Sequence, residues 1–508
     1  GVQPGAAQAS GITRFVAEIT LTVAPDGSTQ TFYVATSGFS TRPTDTPANT
    51  HISGRLNNPG SVSRSLFSGT RVFGAVKPSF GVLSIWNGDG DLDAWLGYAA
   101  SGGRVVVRMG DEDAAYPADY STVYIAYARR LHASLAEIEV HLKDRLELLD
   151  KPLVDKGFDG TGGLEGTTGV AGKLRQWVSE VPGYIPPISV DYTRRMYYVQ
   201  STPCMPALRS SHRVYEGGVE IQRDADYNSS SELLGTSPSS GRVRYWFGPQ
   251  GVYFRLGSTP VHDLRCLAAG QQPSGAAWTI PALAAQAGIA GALGSVGVLE
   301  LLVDDDRTYL QVMDDACIGA IAYFGMTRLD QFVCGAFSAP SGAPVHRFTL
   351  HNAARWQKTH AEGMDVPVWK ITMNSGRTWP SNLAAGATPD MAAALTREPW
   401  NSTFVTSAPA VLTANPGAAH AVIETPHRQF MSPFTHGIFA SRYLALFGVR
   451  RDFYTCVAPL DEDTVGIELH DVVEVRMPRF DLHAGKLFRV ISQEIDCVNQ
   501  RITFGLWG

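Results

Sequence analysis

The stretch LHDVVEVRMPRFDLHAGKLFRVISQEIDCVNQRITFGLWG, Leu469–Gly508, decides the fold class of this chain. Near its start, Val473, Val475 and Met477 alternate with Glu474 and Arg476, which is the two-residue period of a half-buried strand. The strand pattern ends where Pro478 and Asp481 follow.

Two further apolar runs, Leu487–Ile491 and Arg501–Trp507, complete this segment. In the second run Ile502, Phe504 and Leu506 are predicted to point inward. The three runs therefore predict an antiparallel meander. It is scaffold, with no reactive group, and we expect no tail or lid after Trp507.

Composition favours a turn-rich β protein of several domains. The chain has 508 residues, enough for roughly three or four domains. Apolar residues make up 44% and charged residues only 18%, with 51 Gly and 30 Pro. The low charge suits a subunit that buries much of its surface in an assembly. An ordinary β-rich enzyme fits the composition equally well.

Charge, cysteines and hydropathy exclude several classes. The net charge is −6 with scattered Lys and Arg, which is not the basic footprint of a nucleic-acid-binding protein. The six cysteines form no CxxC pair, so we expect reduced, buried thiols rather than a metal site. The first residues lack a signal pattern, and no apolar run approaches the roughly 18 residues that span a bilayer. We therefore expect assembly in a cytosol and no stable membrane insertion.

The pattern along the chain predicts four parts. Residues 1–156 are strand-rich, with a two-residue period from Leu135 to Lys143, and the seven glycines in Gly157–Gly172 indicate a loop that opens a second part, 157–270. Residues 271–365 are predicted to be α/β, with helices at Trp278–Ala290 and Asp306–Ala320. The last part, 366–508, is again strand-rich, although its segment Leu383–Gln429 gives no readable pattern. The predicted fold is mainly β with an α/β middle.

One amphipathic helix is predicted in the last part, with Ile438, Tyr443, Leu444 and Phe447 on its apolar side and Gly448 at its end. The arginines that follow would complement the helix dipole.

Three short motifs resemble ligand sites, and each has a simpler interpretation. Asn87–Asp93 has oxygen-bearing side chains like a calcium loop but lacks its Gly and Glu, so a tight hairpin turn is favoured. Gly166–Leu174 lacks the spacing and the Ser or Thr of a phosphate-binding loop. Asp304, Asp305 and Asp306 precede a predicted helix, and N-capping explains them better than a catalytic dyad.

The remaining candidates are aromatic residues and scattered polar groups. Trp369, Trp379, Trp400 and Tyr443 could line a sugar platform, but core or subunit contact is favoured. The histidines show no ligand-like spacing, and no nucleophile elbow or HExxH helix occurs. A pair of facing carboxylates formed from distant positions, as in a glycosidase, stays open. We predict no catalytic, cofactor-binding or metal residue and no cofactor.

The closing segment and several earlier motifs resemble, in the same order, the central hub proteins at the tail tip or baseplate of long-tailed bacteriophages, including prophage and gene-transfer-agent relatives. These motifs are PSFGVLSIWNGDGDLDAW, VHLKDRLELLDKPL followed by DGTGGLEGTTGVAGK, VYEGGVEIQRDADY through GVYFRLGSTP, VPVWKITMNSGRTW and ALFGVRRDFY. The resemblance covers most of Gly11–Gly508, whereas LRQWVSEVPGYIPP and Leu383–Gln429 depart from it.

The resemblance implies a non-enzymatic structural virion protein at the tail tip, assembled in the host cytoplasm. Such hubs form a ring, usually a homotrimer, in which small tail-tube-like β-barrels at both ends of each chain continue the tube's sixfold geometry. Implied partners are a distal tail or tail-tube protein, the tape-measure protein and tail fibre or spike proteins. DNA passes through without specific binding, and we expect receptor binding to belong to another chain. The principal alternative is a receptor- or glycan-recognising tail component, with or without glycan-cleaving activity; a secreted glycosidase is the third candidate.

Overall fold

The computed structural model describes residues 13–66, 73–359, 366–396, 400–425 and 433–508. It is mainly β and contains several separate sheets, as the alternating sequence patterns predict. The residues of Leu383–Gln429 that could not be interpreted from sequence lie partly within these ranges and form helices and strands.

The N-terminal part forms one seven-stranded sheet in the order β2-β1-β10-β11-β12-β9-β5, which we call the first β unit. Its predicted strand from Leu135 begins two residues later, at Glu137, because Leu135 lies in a turn and is 99% exposed. The strands of this region are β1 (Thr13–Thr22), β2 (Thr29–Ala35), β3 (Phe39–Ser40), β4 (His51–Ile52), β5 (Leu56–Asn58), β6 (Ser61–Ser65), β7 (Gly74–Ala75), β8 (Lys77–Phe80), β9 (Val82–Trp86), β10 (Arg104–Asp111), β11 (Ser121–Ala133) and β12 (Glu137–Lys143).

The middle of the chain contains short sheets and the first three α-helices. The 157–172 segment has no strand of its own, but Phe158, Leu164 and Val170 pack into a core with Tyr198. The elements are β13 (Trp177–Val178), β14 (Tyr184–Ile185), β15 (Ile188–Asp191), β16 (Met196–Gln200), β17 (Arg213–Glu216), β18 (Val219–Glu220), β19 (Gln222–Arg223), α1 (Ser230–Gly235), β20 (Arg242–Gly248), β21 (Gly251–Leu256), β22 (Leu264–Leu267), α2 (Ile280–Ala287), β23 (Leu302–Val303), α3 (Tyr309–Ala320), β24 (Ala322–Met326) and β25 (Phe332–Ala336).

The C-terminal part forms a second large sheet in the order β26-β32-β33-β34-β31-β27, which we call the second β unit. The predicted closing meander is confirmed as β32, β33 and β34, paired antiparallel in sequence. The elements are β26 (His346–Phe348), β27 (Ala354–Thr359), β28 (Val368–Arg377), α4 (Pro389–Thr396), β29 (Trp400–Ser407), α5 (Pro409–Ala414), β30 (Ala419–Thr425), α6 (Pro433–Phe447), β31 (Phe453–Pro459), α7 (Glu462–Val465), β32 (Val472–Val475), β33 (Lys486–Asp496) and β34 (Arg501–Trp507).

Helix α3 begins at Tyr309, three residues later than the sequence predicts, and N-capping by the upstream aspartates is wrong. The Thr308 hydroxyl accepts a hydrogen bond from the Gln311 N–H at 3.2 Å, and the Gln311 side chain accepts one from the Thr308 N–H at 2.9 Å. This capping box satisfies the first turn because Thr308 directly precedes the helix. Asp305 lies further upstream and instead binds Arg307 at 2.9 Å.

Helix α6 docks through most of the predicted apolar side, since Phe447 is buried and Tyr443 and Leu444 pack against the same core. Ile438 is 49% exposed, so its assignment to the apolar side is wrong, whereas Ala440 and Leu446 are buried. The guanidinium of Arg442, on the same helix, donates hydrogen bonds to the carbonyls of Ala320, Ile321 and Phe337. Backbone acceptors at the end of α3 therefore set the position of α6.

The predicted end of α6 is confirmed. The helix ends at Phe447, and the Gly448 N–H donates to the Leu444 carbonyl at 2.7 Å. Arg451 follows, and its Nε donates to the Leu446 carbonyl at 3.1 Å. A cation thus lies at the negative end of the helix dipole.

Both large sheets curl until their edges approach each other. In the second β unit the edge strands β26 and β27 are consecutive in the chain, so residues 349–353 alone must join the two edges, a reach of roughly 20 Å at most. In the first β unit, Val34 of the edge strand β2 forms a bridge with Ser53, just before β5. Neither sheet has a continuous closing ladder within the described ranges, so closed barrels stay a prediction.

Candidate functional site

The two β units have the same strand arrangement. In the first unit, the chain visits β1, β5, β9, β10, β11 and β12 and places them in the order β1-β10-β11-β12-β9-β5. In the second, it visits β26, β27, β31, β32, β33 and β34 and places them in the order β26-β32-β33-β34-β31-β27. Corresponding strands occupy corresponding positions. Two features differ. Strand β2, which lies beside β1 at the edge of the first unit, has no counterpart in the second, and β1 and β10 are antiparallel whereas β26 and β32 are parallel.

The residue register repeats as well as the strand order. Val105 lies opposite Ala126 in the first unit, and Val473 lies opposite Phe488 in the second. The equivalent positions in the next ladder are Ala128 opposite Leu142 and Val490 opposite Leu506, and after each of these pairs the register shifts by a one-residue bulge. A shared order, register and bulge show that the two units are copies of one architectural plan.

The connection before the meander is also shared. Between β9 and β10 the chain forms a 3-10 helix at Asp93–Gly97, and between β31 and β32 it forms α7. The Asn87 side chain accepts a hydrogen bond from the Leu92 N–H at 2.9 Å in the first case. In the second, Asp461 accepts from the N–H groups of Asp463 and Thr464. Both units therefore have a helical turn at this position, but only α7 starts with a side-chain cap.

A strand from the first half of the chain completes the second β unit. Strand β6 pairs antiparallel with the C-terminal half of β33, with Val62 opposite Ile495 and Arg64 opposite Gln493. The two units consequently share one continuous apolar core, in which Val107 and Leu83 of the first unit lie with Phe504 of the second.

Three distant residues form an ionic cluster at the junction of the two units, in which the two arginines are buried and Glu468 is 23% exposed. The Arg64 side chain, only 3% exposed, binds Glu468 at 2.8 Å and also donates to the Gln493 side chain. Arg328 binds the other Glu468 oxygen at 3.2 Å. We call Arg64, Arg328, Glu468 and Gln493 the junction cluster.

Electrostatics of the junction cluster are dominated by burial. Desolvation lowers the pKa of Arg328, opposed by the attraction of Glu468. Desolvation likewise raises the pKa of the nearby Asp471 carboxyl, whose side chain accepts from the Glu468 N–H at 2.8 Å. One carboxylate serves two guanidinium groups here, so its loss would leave both without their main counter-charge.

The turn between β24 and β25 connects the junction cluster to the first β unit. Arg328 donates to the carbonyls of Thr122 and Val123 in β11. Asp330, two residues later, accepts from the Tyr127 hydroxyl at 2.6 Å and from Arg145 at 2.8 Å. This turn binds the middle of the chain to both β units, and the sequence analysis missed it because its partners lie over a hundred residues away.

The main cleft, about 740 Å³, lies in the middle of the chain. Its aromatic lining, Trp177 and Trp278, is 4% and 5% exposed, and the two rings pack edge to face at 5.2 Å. Glu165 binds Arg175 at 2.5 Å, which holds the pKa of that carboxyl below its usual range. Asp155 and Asp159 also line the cleft, so carboxylates are present, but buried tryptophans do not make a sugar platform.

The predicted hairpin turn at Asn87–Asp93 is wrong in one respect. The segment turns, with Gly90 at φ 77°, but β9 and β10 do not pair with each other, because β12 and β5 flank β9. Asp89 and Asp91 both bind Arg55, at 2.6 and 2.8 Å. The acidic side chains neutralise an arginine there.

The other sequence candidates are dispersed. Trp379 packs against the core around Val178, and Tyr443 stacks near Phe447 at 4.6 Å. Trp369 and Trp400 are half-buried. Gly166–Leu174 contains a 3-10 turn at Thr168–Val170.

The prediction of free, buried thiols is confirmed for five cysteines. All six thiols are free, and all but Cys204 are buried. Across the described ranges, no cluster of three or more His, Cys, Asp or Glu side chains is placed to hold a metal ion. No helix in these ranges is both long and apolar enough to cross a membrane.

No protein-family model and no curated protein matches the chain. Among solved structures, it is similar to a tail protein from Neisseria meningitidis MC58, at TM-score 0.39 and 10% identity, over 97% of this chain and 96% of that one. It is also similar to the 43 kDa tail protein of prophage MuSo2 from Shewanella oneidensis, at TM-score 0.39 and 9% identity, over 96% and 98%. A third is prophage tail protein gp18 from Listeria monocytogenes EGD-e, at TM-score 0.28 and 10% identity, over 66% and 87%. Similarity this low does not establish a shared fold.

The substitution Glu468→Gln tests the junction cluster. It keeps the side-chain shape but removes the negative charge that Arg64 and Arg328 share, so we expect a loss of roughly 3 kcal/mol in unfolding free energy. Chemical denaturation followed by tryptophan fluorescence measures it. The matched control is Glu220→Gln, whose partner Arg213 is half exposed, and there we expect about 0–1 kcal/mol. Equal effects for both variants would contradict a structural role for the cluster.

The substitution Asp144→Asn tests a half-buried acid beside the junction. Burial raises the pKa of Asp144 to about 6, above the roughly 3.9 of an unfolded chain. Ionisation therefore costs stability as pH rises from about 4 through 6. Asparagine can still accept the hydrogen bond from the Leu146 N–H. We expect the variant to be more stable than the parent by about 1–2 kcal/mol at pH 8 and equal to it at pH 4. Thermal unfolding at both pH values measures this, and a pH-independent difference would contradict it.

Proposed function

We propose that this chain is the central hub of a bacteriophage tail tip or baseplate, a structural virion protein that forms a homotrimeric ring. The observation that carries the proposal is the repeat of one strand arrangement in the two β units. Three copies of such a chain supply six alike β units. A ring of six units matches the sixfold geometry of a tail tube, which the sequence resemblance implies for the hub's neighbour.

The shared core supports a rigid ring element. Because β6 of the first half is hydrogen-bonded into the second unit, the two units cannot move apart without breaking a ladder and exposing apolar residues. A hub that transmits force between tube and tip needs this rigidity. We also propose that the chain divides into four parts, with boundaries after residues 156, 270 and 365. Some strands of one part pair with strands of another.

The proposed ring joins a distal tail or tail-tube protein to the tip proteins and surrounds the DNA exit channel. Its further partners are the end of the tape-measure protein inside and fibre or spike proteins below. The net charge of −6 agrees with DNA that passes without binding. Assembly would take place in the host cytoplasm.

We propose no enzymatic activity and no cofactor. The glycan-cleaving alternative requires exposed aromatics and two facing carboxylates. In the main cleft, the tryptophans are buried against each other and Glu165 is paired with Arg175. This arrangement disfavours the alternative.

The purified chain should assemble into trimers. We expect a mass close to three times the 54.8 kDa of one chain by light scattering, and ring-shaped particles by negative-stain electron microscopy. A stable monomer that cleaves bacterial polysaccharide would overturn the proposal.

Immuno-electron microscopy of native particles tests the location. An antibody against this chain should label one end of the tail, at the tip. An antibody against the major tube subunit is the matched control, since it should label along the tail. Labelling of the capsid or of the whole tail length by the first antibody would contradict a hub.

A further inference from the structure

The two β units differ at one equivalent edge, which is filled in the second unit and open in the first. In the second unit, β34 pairs with β33 on one side from Arg489 to Asp496. On the opposite side, β32 pairs with the first half of β33 and β6 with the second half. Strand β33 therefore has partners on both sides along most of its length.

Strand β11 is the counterpart of β33 and lacks the equivalent of β6. Strand β12 pairs with β11 on one side from Tyr127 to Ala133, and β10 pairs on the other side up to Tyr127. Backbone hydrogen bonds on the β10 side continue to Ala128 and stop. Among the described residues, no strand lies beside Arg129–Ala133 on that side.

The backbone directions show that this edge can accept a strand. The Val490 N–H and C=O bind Asp471 and His470, and the equivalent Ala128 groups bind Gly103 and Gly102 in the same way. After Val490, the β33 residues whose backbone groups face β6 are Gln493, which lies opposite Arg64, and Ile495, which lies opposite Val62.

Because the bulges coincide, Leu131 and Ala133 are the counterparts of Gln493 and Ile495. Their N–H and C=O groups therefore point toward the open side.

A very exposed apolar side chain lies beside this edge. Leu135, in the turn that follows β11, is 99% exposed. Single exposed apolar side chains are common on protein surfaces. Next to an unpaired strand edge, such a side chain adds apolar area to the contact with any strand that pairs there. The bulge at Arg129 does not block pairing, since the equivalent bulge in β33 lies directly beside β6.

We propose that a strand from a second copy of this chain pairs with Arg129–Ala133 of β11. The proposal rests on the proposed ring and names the contact that closes it. Within one chain, the first unit donates β6 to the second. A ring of alike units repeats that donation between chains, so that each first unit receives a strand from the neighbouring copy. The contact is heterologous and closes by rotation.

The substitution Ala133→Pro tests this pairing. Proline removes the N–H that faces the open side, while the groups of His132 that face β12 remain, so the chain itself should fold. The matched control is Ala133→Ser, which keeps the N–H. We expect trimer association to be about tenfold weaker in the proline variant and unchanged in the serine variant. Sedimentation and mass photometry measure the association, and circular dichroism checks that both variants are folded.

Cross-linking decides the case in which the proline variant does not fold. Arg129→Cys is made in a Cys204→Ser background, because the other native thiols are buried. The new thiol carries a benzophenone photo-cross-linker, and isotopically light and heavy chains are mixed before assembly. Light-to-heavy cross-links support the pairing. Cross-links only within one copy, or in native particles to a different tail protein, overturn it.

Failure of this inference and failure of the ring are distinguishable. A parent chain that stays monomeric contradicts both. A trimeric parent whose association is unchanged by Ala133→Pro contradicts the edge pairing alone.

Discussion

The fold depends on the burial of two arginines around one glutamate. Arg64 belongs to the first half of the chain, Arg328 to the middle and Glu468 to the last part, and Glu468 binds both arginines only when all three parts are in place. Taking such charges out of water costs several kcal/mol per ion unless they are paired. Alternative arrangements that leave one of them unpaired are therefore disfavoured. The cluster supports a single relative placement of the two β units, which apolar packing alone would specify less sharply.

Buried polar contacts also join other parts of the scaffold. Backbone pairing holds β6, and side-chain hydrogen bonds hold the turn that carries Arg328 and Asp330. Helix α6 is held by Arg442, which binds three carbonyls. The polar groups of these contacts are occupied in holding parts of the scaffold together.

Local patterns in the sequence predicted local structure well. The alternation in Arg501–Trp507 and the apolar spacing of α3 are short-range signals, and both elements are present. The predicted N-cap at Asp304–Asp306 was wrong because a threonine closer to the helix was available. The predicted strand began too early because the apolar alternation extends to Leu135, which lies in a turn. The family resemblance implied similar units at both ends of the chain, but the residue pattern did not show the repeat, because equivalent positions keep their burial and not their residues, as with Val140 and Phe504. The junction cluster was equally out of reach, since no local pattern relates residues hundreds of positions apart.

The difference between the units follows from what is inserted into each. Among the residues that the structure describes, the first unit carries β6, β7 and β8 between β5 and β9, whereas the second carries a three-stranded sheet, β29-β28-β30, with three helices between β27 and β31. In the proposed ring, the common strands recur six times around the axis, but each kind of insertion recurs three times. The surface built from the common strands therefore approximates sixfold symmetry, and the surface built from the insertions has threefold symmetry. A ring of this kind can bind a sixfold partner on one surface and a threefold partner on the other with the same three chains.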